Sequence, residues 1–171
     1  QLKDHTMHRV YELIVCGNLK EDSGTIDAPI GRHPSDRKKM CVIQRNSKEA
    51  VTHWEVVKRY RGYTHVRCKL ETGRTHQIRA HMAHIGHPLV GDGKYGVNRD
   101  DKRSGYKFQA LYAYRLRFDL PEDAGSLNYL RGREFVIPPA DIWFTKGFDL
   151  KGKGVPKWDA PPSKPNGGQD A

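Results

Sequence analysis

This sequence predicts an α+β domain in which strands dominate, and three observations carry the prediction. Runs of apolar and polar residues in alternation recur through the first seventy positions and again from Leu111. The period switches to a helical one at a single place, just after Thr75. Its 171 residues supply one core and not two, and although 36% apolar is a low share for a globular protein, 9% aromatic argues against wholesale disorder.

The first strand is expected over His8 to Cys16, with Tyr11, Leu13 and Val15 on one side and Val10, Ile14 and Cys16 on the other. Apolar residues on both sides mark it as buried on both faces until Gly17 ends it. Turn formers and charge fill Lys20 to Lys39, and a second apolar run covers Met40 to Ile43. A third spans Ala50 to Tyr60, where Val51, Val56 and Val57 bring β-branched content. In the fourth, Thr64, Val66, Cys68 and Leu70 point one way and His65, Arg67 and Lys69 the other. That alternation reads as a half-buried strand with a cationic outer face.

Thr75 is an N-cap candidate for the helix, and Ile78, Met82 and Ile85 form one stripe at i, i+4, i+7. Gly86 closes it as the C′ residue, and Pro88 bars continuation. The last alternating run, Leu111 to Leu120, places Tyr112, Tyr114, Leu116, Phe118 and Leu120 on one face. Phe135 to Ile137 and Ile142 to Phe144 are short apolar extras. Residues 1–144 are therefore expected to form the folded part. Residues 145–171, rich in Lys, Pro and Gly, are expected to be an extended or disordered tail.

Thirty Lys and Arg against twenty Asp and Glu leave a net charge of +10, which favours a polyanion partner over the alternative of a soluble basic enzyme. No apolar stretch approaches the roughly 20 residues a bilayer demands, so no membrane role is expected. Gln1 to His5 lack the apolar core of a signal peptide. Cys16, Cys41 and Cys68 are odd in number and show no C-x-x-C spacing. Neither a disulfide framework nor a zinc ribbon follows, and a reduced, cytoplasmic chain is the expectation.

Chemistry concentrates in Leu70 to Met82, where a strand ends, Gly73 turns the chain and a helix begins with Arg74 and Arg79 at hand. A helix start offers free N–H groups and a positive dipole end, so two arginines there either build an anion site, for a phosphate or for a buried carboxylate, or sit solvated on a surface helix. Arg79 lies about 100° from Ile78 on the wheel, at the edge of the buried stripe. His76, His81, His84 and His87 lack the i, i+4 spacing and neighbouring acid of a helical metal site, so RNA contact or packing is the better reading. Arg32 to Lys39 and Lys58 to Arg61 are basic segments able to track a phosphate backbone or simply to sit in solvent.

The run Thr72-Gly73-Arg74-Thr75-His76-Gln77-Ile78-Arg79, continued by His81 to Asp92, resembles the RluA-type RNA pseudouridine synthases. Arg9 to Gly17, Pro29 to Arg32 with Lys38 to Met40, Lys48 to Thr52, and Gln109 to Phe118 resemble other segments of that family, in the family's order. The resemblance implies a mixed, mostly antiparallel sheet and the isomerisation of uridine to pseudouridine in RNA, without metal or cofactor. Ribosomal RNA is the expected partner, with transfer RNA open. By the same likeness, Tyr11 stacks on the flipped uracil, Arg79 pairs with the catalytic aspartate and Leu116 packs under the target base. Arg32, Arg37, Lys38, Lys39, Arg74, His76 and Gln77 are the expected RNA contacts.

One family feature is missing. The nucleophilic aspartate lies in an H-R-L-D segment ahead of the tyrosine strand, and no aspartate of this sequence follows Arg-Leu. The sequence therefore reads as the C-terminal half of a synthase domain, its acid-bearing half lost, separate or never encoded. Alone it is expected to be inactive. Arg79, with no partner acid apparent, is expected to face an open cleft or a bound anion. The alternative reading is a non-catalytic RNA-binding module derived from such an enzyme.

Overall fold

The structure, a computed structural model, describes residues 7–96, 108–138 and Phe144. The expected tail at 145–171 and the extras Ile142 and Trp143 lie outside the described residues. The strands are β1 (Met7–Cys16), β2 (Ser23–Asp27), β3 (Ile30–Arg32), β4 (Met40–Val42), β5 (Ser47–Lys48), β6 (Val51–Tyr60), β7 (Tyr63–Leu70), β8 (Leu111–Phe118) and β9 (Glu134–Val136). The helix α1 (Gln77–His84) separates β7 from β8. Six strands form one sheet in the order β2-β6-β7-β1-β8-β9, and β4-β3-β5 form a second. Every pairing described is antiparallel.

Strand β1 is interior, between β7 and β8, which is why its sequence is apolar on both sides. Leu13 and Val15 join Ile78 and Met82 of α1 in one core. Ile14 and Cys16 face the opposite way, into a core with Val90, Ala110, Tyr114 and Phe144. A third, smaller core of Ile30, Ala50 and Ala80 lies where the small sheet meets the helix, with Met40 and Tyr95 against it.

The helix ends as its sequence announces. Gly86 sits at φ 85°, its N–H donates to the Ala83 carbonyl at 3.0 Å, and the His87 N–H donates to Met82 at 2.9 Å. Those two bonds make a Schellman motif, which needs the left-handed residue that glycine supplies. Its start differs from expectation. His76, not Thr75, occupies the N-cap position, at φ 55° and with no side-chain cap.

Two further expectations give way to tertiary pairing. The face of β7 carrying His65 and Arg67 is not a solvated cationic surface, because Glu12 of β1 stands directly across from Arg67. Glu12 is fully buried, hydrogen bonds His65 and accepts from Arg67 Nε at 2.9 Å, while Tyr114 lies beneath the guanidinium. The single apolar face expected for β8 is split by a bulge, since Val10 pairs with Arg115 but Tyr11 with Ala113. The extra residue, Tyr114, resets the alternation. Tyr112 and Tyr114 go to the core around Ile14, and Leu116 passes to the face that bears Tyr11.

Candidate active site

Tyr11 is placed by register. Across β1 it faces Cys68 on one side and Ala113 on the other, two small side chains that do not cover a phenol ring. The ring therefore borders open space on the face shared with α1. There it lines a cleft of about 320 Å³ together with Arg74, His76, Arg79, Gln109 and Leu111. Leu116 lines the adjoining hollow, which also reaches Tyr11 and is walled by Phe135 and Ile137. Tyr11, Arg79 and Leu116 are thus gathered about one wall of the sheet.

Arg79 leaves the helix at the edge of its buried stripe and is 9% exposed. Contrary to the expectation of an unpartnered guanidinium, it grips Asp92. Nε and Nη2 each donate to one carboxylate oxygen at 2.7 Å, a bidentate pair. Asp92 lies beyond the helix, where its Oδ1 also caps a turn by accepting the N–H groups of Lys94 at 3.0 Å and Tyr95 at 3.2 Å. Burial pushes the Asp92 carboxyl up, but the Arg79 fork and the two backbone donors outweigh it and hold the pKa below the ordinary aspartate value. Hydrogen bonding to Asp92 raises Arg79 in turn. The side-on edge of the guanidinium is thereby used, and Nη1 has no acceptor among the described residues.

Tyr95 completes the arrangement. Its ring lies 5.0 Å from the Arg79 guanidinium carbon. Its hydroxyl accepts the Met40 N–H at 2.8 Å and meets His76 Nδ1 at 3.1 Å. Burial, then the nearby charges of Arg79 and Lys94, lowers the His76 pKa, so the imidazole is neutral near pH 7. A left-handed histidine costs roughly 1 kcal/mol, and Tyr95 and the packed helix start hold it there.

The other expected contacts separate into two groups. Arg32, Arg37, Lys38 and Lys39 lie on or after β3, around a tight loop in which Arg32 donates to the Arg37 carbonyl at 2.9 Å. That loop is tied to the cleft through Met40 and Tyr95, and through Lys94 Nζ donating to the Lys38 carbonyl at 3.3 Å. Arg74 lines the cleft and donates to the Glu49 carbonyl at 2.8 Å. Gln77 is corrected. Its amide is 2% exposed and turned inward, accepting from Thr72 and the Arg74 N–H and donating to Val51 and Thr52. All four hydrogen-bonding positions are filled, so it builds the turn and has none left for RNA.

His81 and His87 are likewise engaged inside the fold. His81 bridges Thr52 and the Ala28 carbonyl, and His87 Nδ1 meets the Cys16 carbonyl at 2.9 Å. In the other basic segment Arg59 grips the turn before β2, bonding Leu19, Glu21 and Asp22. Asp92 and Tyr95 are the site residues that sequence reasoning did not assign. Asp92 does close the run that resembles the family, and a turn-forming Asp-Gly marks the place, but neither signal names Arg79 as its partner.

Known proteins share the sequence and the fold of this chain. Residues 1–84 match the family model described as RNA pseudouridylate synthase. An uncharacterized RNA pseudouridine synthase of Bacillus subtilis, YlyB, is 51% identical over 121 residues, which cover 71% of this chain and 39% of that protein. Ribosomal large subunit pseudouridine synthase D of Pseudomonas aeruginosa is 57% identical over 96 residues, 56% of this chain and 29% of that one. Among solved structures, human RNA Pseudouridylate Synthase Domain Containing 1 superposes with a TM-score of 0.60 at 26% identity. That match covers 88% of this chain and 68% of the human one. The chain spans well under half the length of these two curated relatives.

Proposed function

The chain belongs to the RluA-type RNA pseudouridine synthase family, and on that footing we propose that it forms the tyrosine–arginine wall of a uridine-isomerising cleft. The observation that carries this reading is the meeting of Tyr11 and Arg79, from a strand and a helix far apart in sequence, on one cleft. Ribosomal RNA is the proposed substrate, since relatives are named for the large ribosomal subunit. Residues 1–144 are the proposed folded part, and a reduced cytoplasmic setting suits the three cysteines.

The reaction breaks the bond from the ribose C1′ to N1 of uracil and makes one from C1′ to C5. The C5 proton is lost and N1 gains one, so atoms balance with no cofactor. A base taken out of its stack needs an aromatic face, the role proposed for the Tyr11 ring, and a proton acceptor at C5, a role the family resemblance gives to the same residue. Arg79 supplies the fixed charge that keeps a nucleophilic carboxylate ionised. Leu116 provides the apolar contact beneath the base. The carboxylate itself comes, in this proposal, from an H-R-L-D segment outside these 171 residues. The basic loop at Arg32, Arg37, Lys38 and Lys39, with Arg74 and His76, holds the backbone of the RNA.

The test is tritium release from C5-labelled uridine in RNA. The chain alone should release none, and the chain joined to a segment with the missing acid should turn over. Turnover by the isolated chain would refute the assignment of roles.

A second reading, a non-catalytic RNA-binding module, is favoured by one observation. Asp92 already neutralises Arg79 within the chain. RNA binding that weakens steeply with salt, with no release even after the acid is supplied, would select it.

A further inference from the structure

We propose that Tyr95 is a positioning residue of the cleft, whose ring supports Arg79 and whose hydroxyl fixes His76 in one tautomer, so that Nε2–H of His76 is offered to an acceptor oxygen of RNA. The Met40 N–H can only donate, so the Tyr95 oxygen accepts it at 2.8 Å and its own hydrogen is directed elsewhere. The next polar atom is His76 Nδ1 at 3.1 Å. Tyr95 keeps its proton, because burial raises its pKa. His76 is neutral, so its ring has one acceptor nitrogen and one N–H. With Nδ1 accepting from Tyr95, the hydrogen belongs to Nε2. Among the described residues Nε2 has no protein partner, and His76 lines the cleft with Tyr11, Arg74 and Arg79.

The same ring does a second task. It stands edge-on to His76, with centroids 5.8 Å apart, and lies against the Arg79 guanidinium. Asp92 accepts the Tyr95 N–H on Oδ1 and holds Arg79 across both of its oxygens, so one short turn orients both cationic and neutral members of the site. The left-handed backbone of His76 fits this arrangement, since it is strain retained at a group with a defined direction.

The inference rests on the cleft being the RNA site, and its test separates the two. The first measurement is the long-range ¹⁵N–¹H correlation spectrum of the histidine rings in the 171-residue chain above pH 7. His76 should carry its hydrogen on Nε2, and in Tyr95→Phe, which keeps the ring and loses the hydroxyl, it should become a mixture of tautomers. A hydrogen on Nδ1 in the unsubstituted chain overturns the proposal without any variant. The second is binding of single-stranded oligouridylate at low salt. Tyr95→Phe should weaken it by about twofold, the share of His76 that leaves the Nε2–H tautomer, and should lower the melting temperature because the Met40 N–H loses its acceptor. In the acid-supplied protein the same variant should raise KM and spare kcat, whereas Tyr95→Leu, which also removes the support of Arg79, should lower kcat. Equal affinity of Tyr95→Phe and the unsubstituted chain overturns the donor role. Failure of the unsubstituted chain to bind the oligonucleotide, with His76 in the expected tautomer, refutes the RNA reading of the cleft instead.

Discussion

Removing Asp92 should reveal how much of this fold rests on one buried charge pair. The Asp92 side chain is fully buried and that of Arg79 is 10% exposed, so little water screens them. Asp92→Ala removes two charge-assisted bonds of 2.7 Å and leaves the guanidinium without its carboxylate. It also strips the Lys94 and Tyr95 N–H groups of their acceptor. Breaking such a pair on one side costs about 3–5 kcal/mol, because the remaining charge stays buried. In a domain whose whole stability is about 5–15 kcal/mol that is a large share, and it corresponds to a fall of roughly 6–20 °C in Tm. The assay is a double-mutant cycle by urea unfolding. Arg79→Met should rescue Asp92→Ala, with the double variant no less stable than Asp92→Ala alone. If the two costs instead add to within about 0.5 kcal/mol, the residues are energetically independent and the reasoning fails.

Arg79→Lys, measured by tritium release in the acid-supplied protein, should be severely impaired, because an ammonium cannot make the planar two-oxygen grip; near-native turnover would refute the role. Gly31→Ala should cost about 1–3 kcal/mol in urea unfolding, since its Cβ would stand 2.7 Å from the Asn46 carbonyl and 2.8 Å from Ile43. Gly62→Ala, with open space around it but φ 79°, should cost only the roughly 1 kcal/mol of left-handed strain. Burial lowers the His81 pKa despite its bond to the Ala28 carbonyl, so between that value and the unfolded value near 6.5 the unfolded chain binds the extra proton. Stability should therefore be complete above about pH 7 and fall as pH drops through 6.5, by at most about 1.4 kcal/mol per pH unit for this group. His81→Gln should flatten the slope of Tm between pH 7 and pH 5, and an unaltered slope would assign the effect elsewhere.

Much of this was determined by the sequence itself. The two-sided apolar run of β1, the clean alternation of β7, and the stripe of α1 with Gly86 behind it are properties of near neighbours. Local pattern and backbone allowance therefore decide them. The dense segment from Thr72 to Asp92 likewise carried the family signature, from which the roles proposed for Tyr11 and Arg79 follow. Tertiary structure alone decided what those residues meet. Glu12 neutralises Arg67 because β1 and β7 share a register, and no period in either strand encodes that choice. One bulged residue on β8 moves Leu116 to the Tyr11 side, since a shift of one position inverts every later side chain. Gln77 turns inward to a turn and strand that only folding brings within reach, and Asp92 reaches Arg79 from beyond the helix, at no helical spacing. Periodicity and caps are written within a few residues of one another, whereas the partners of buried charges and amides are set by which strands and turns pack together.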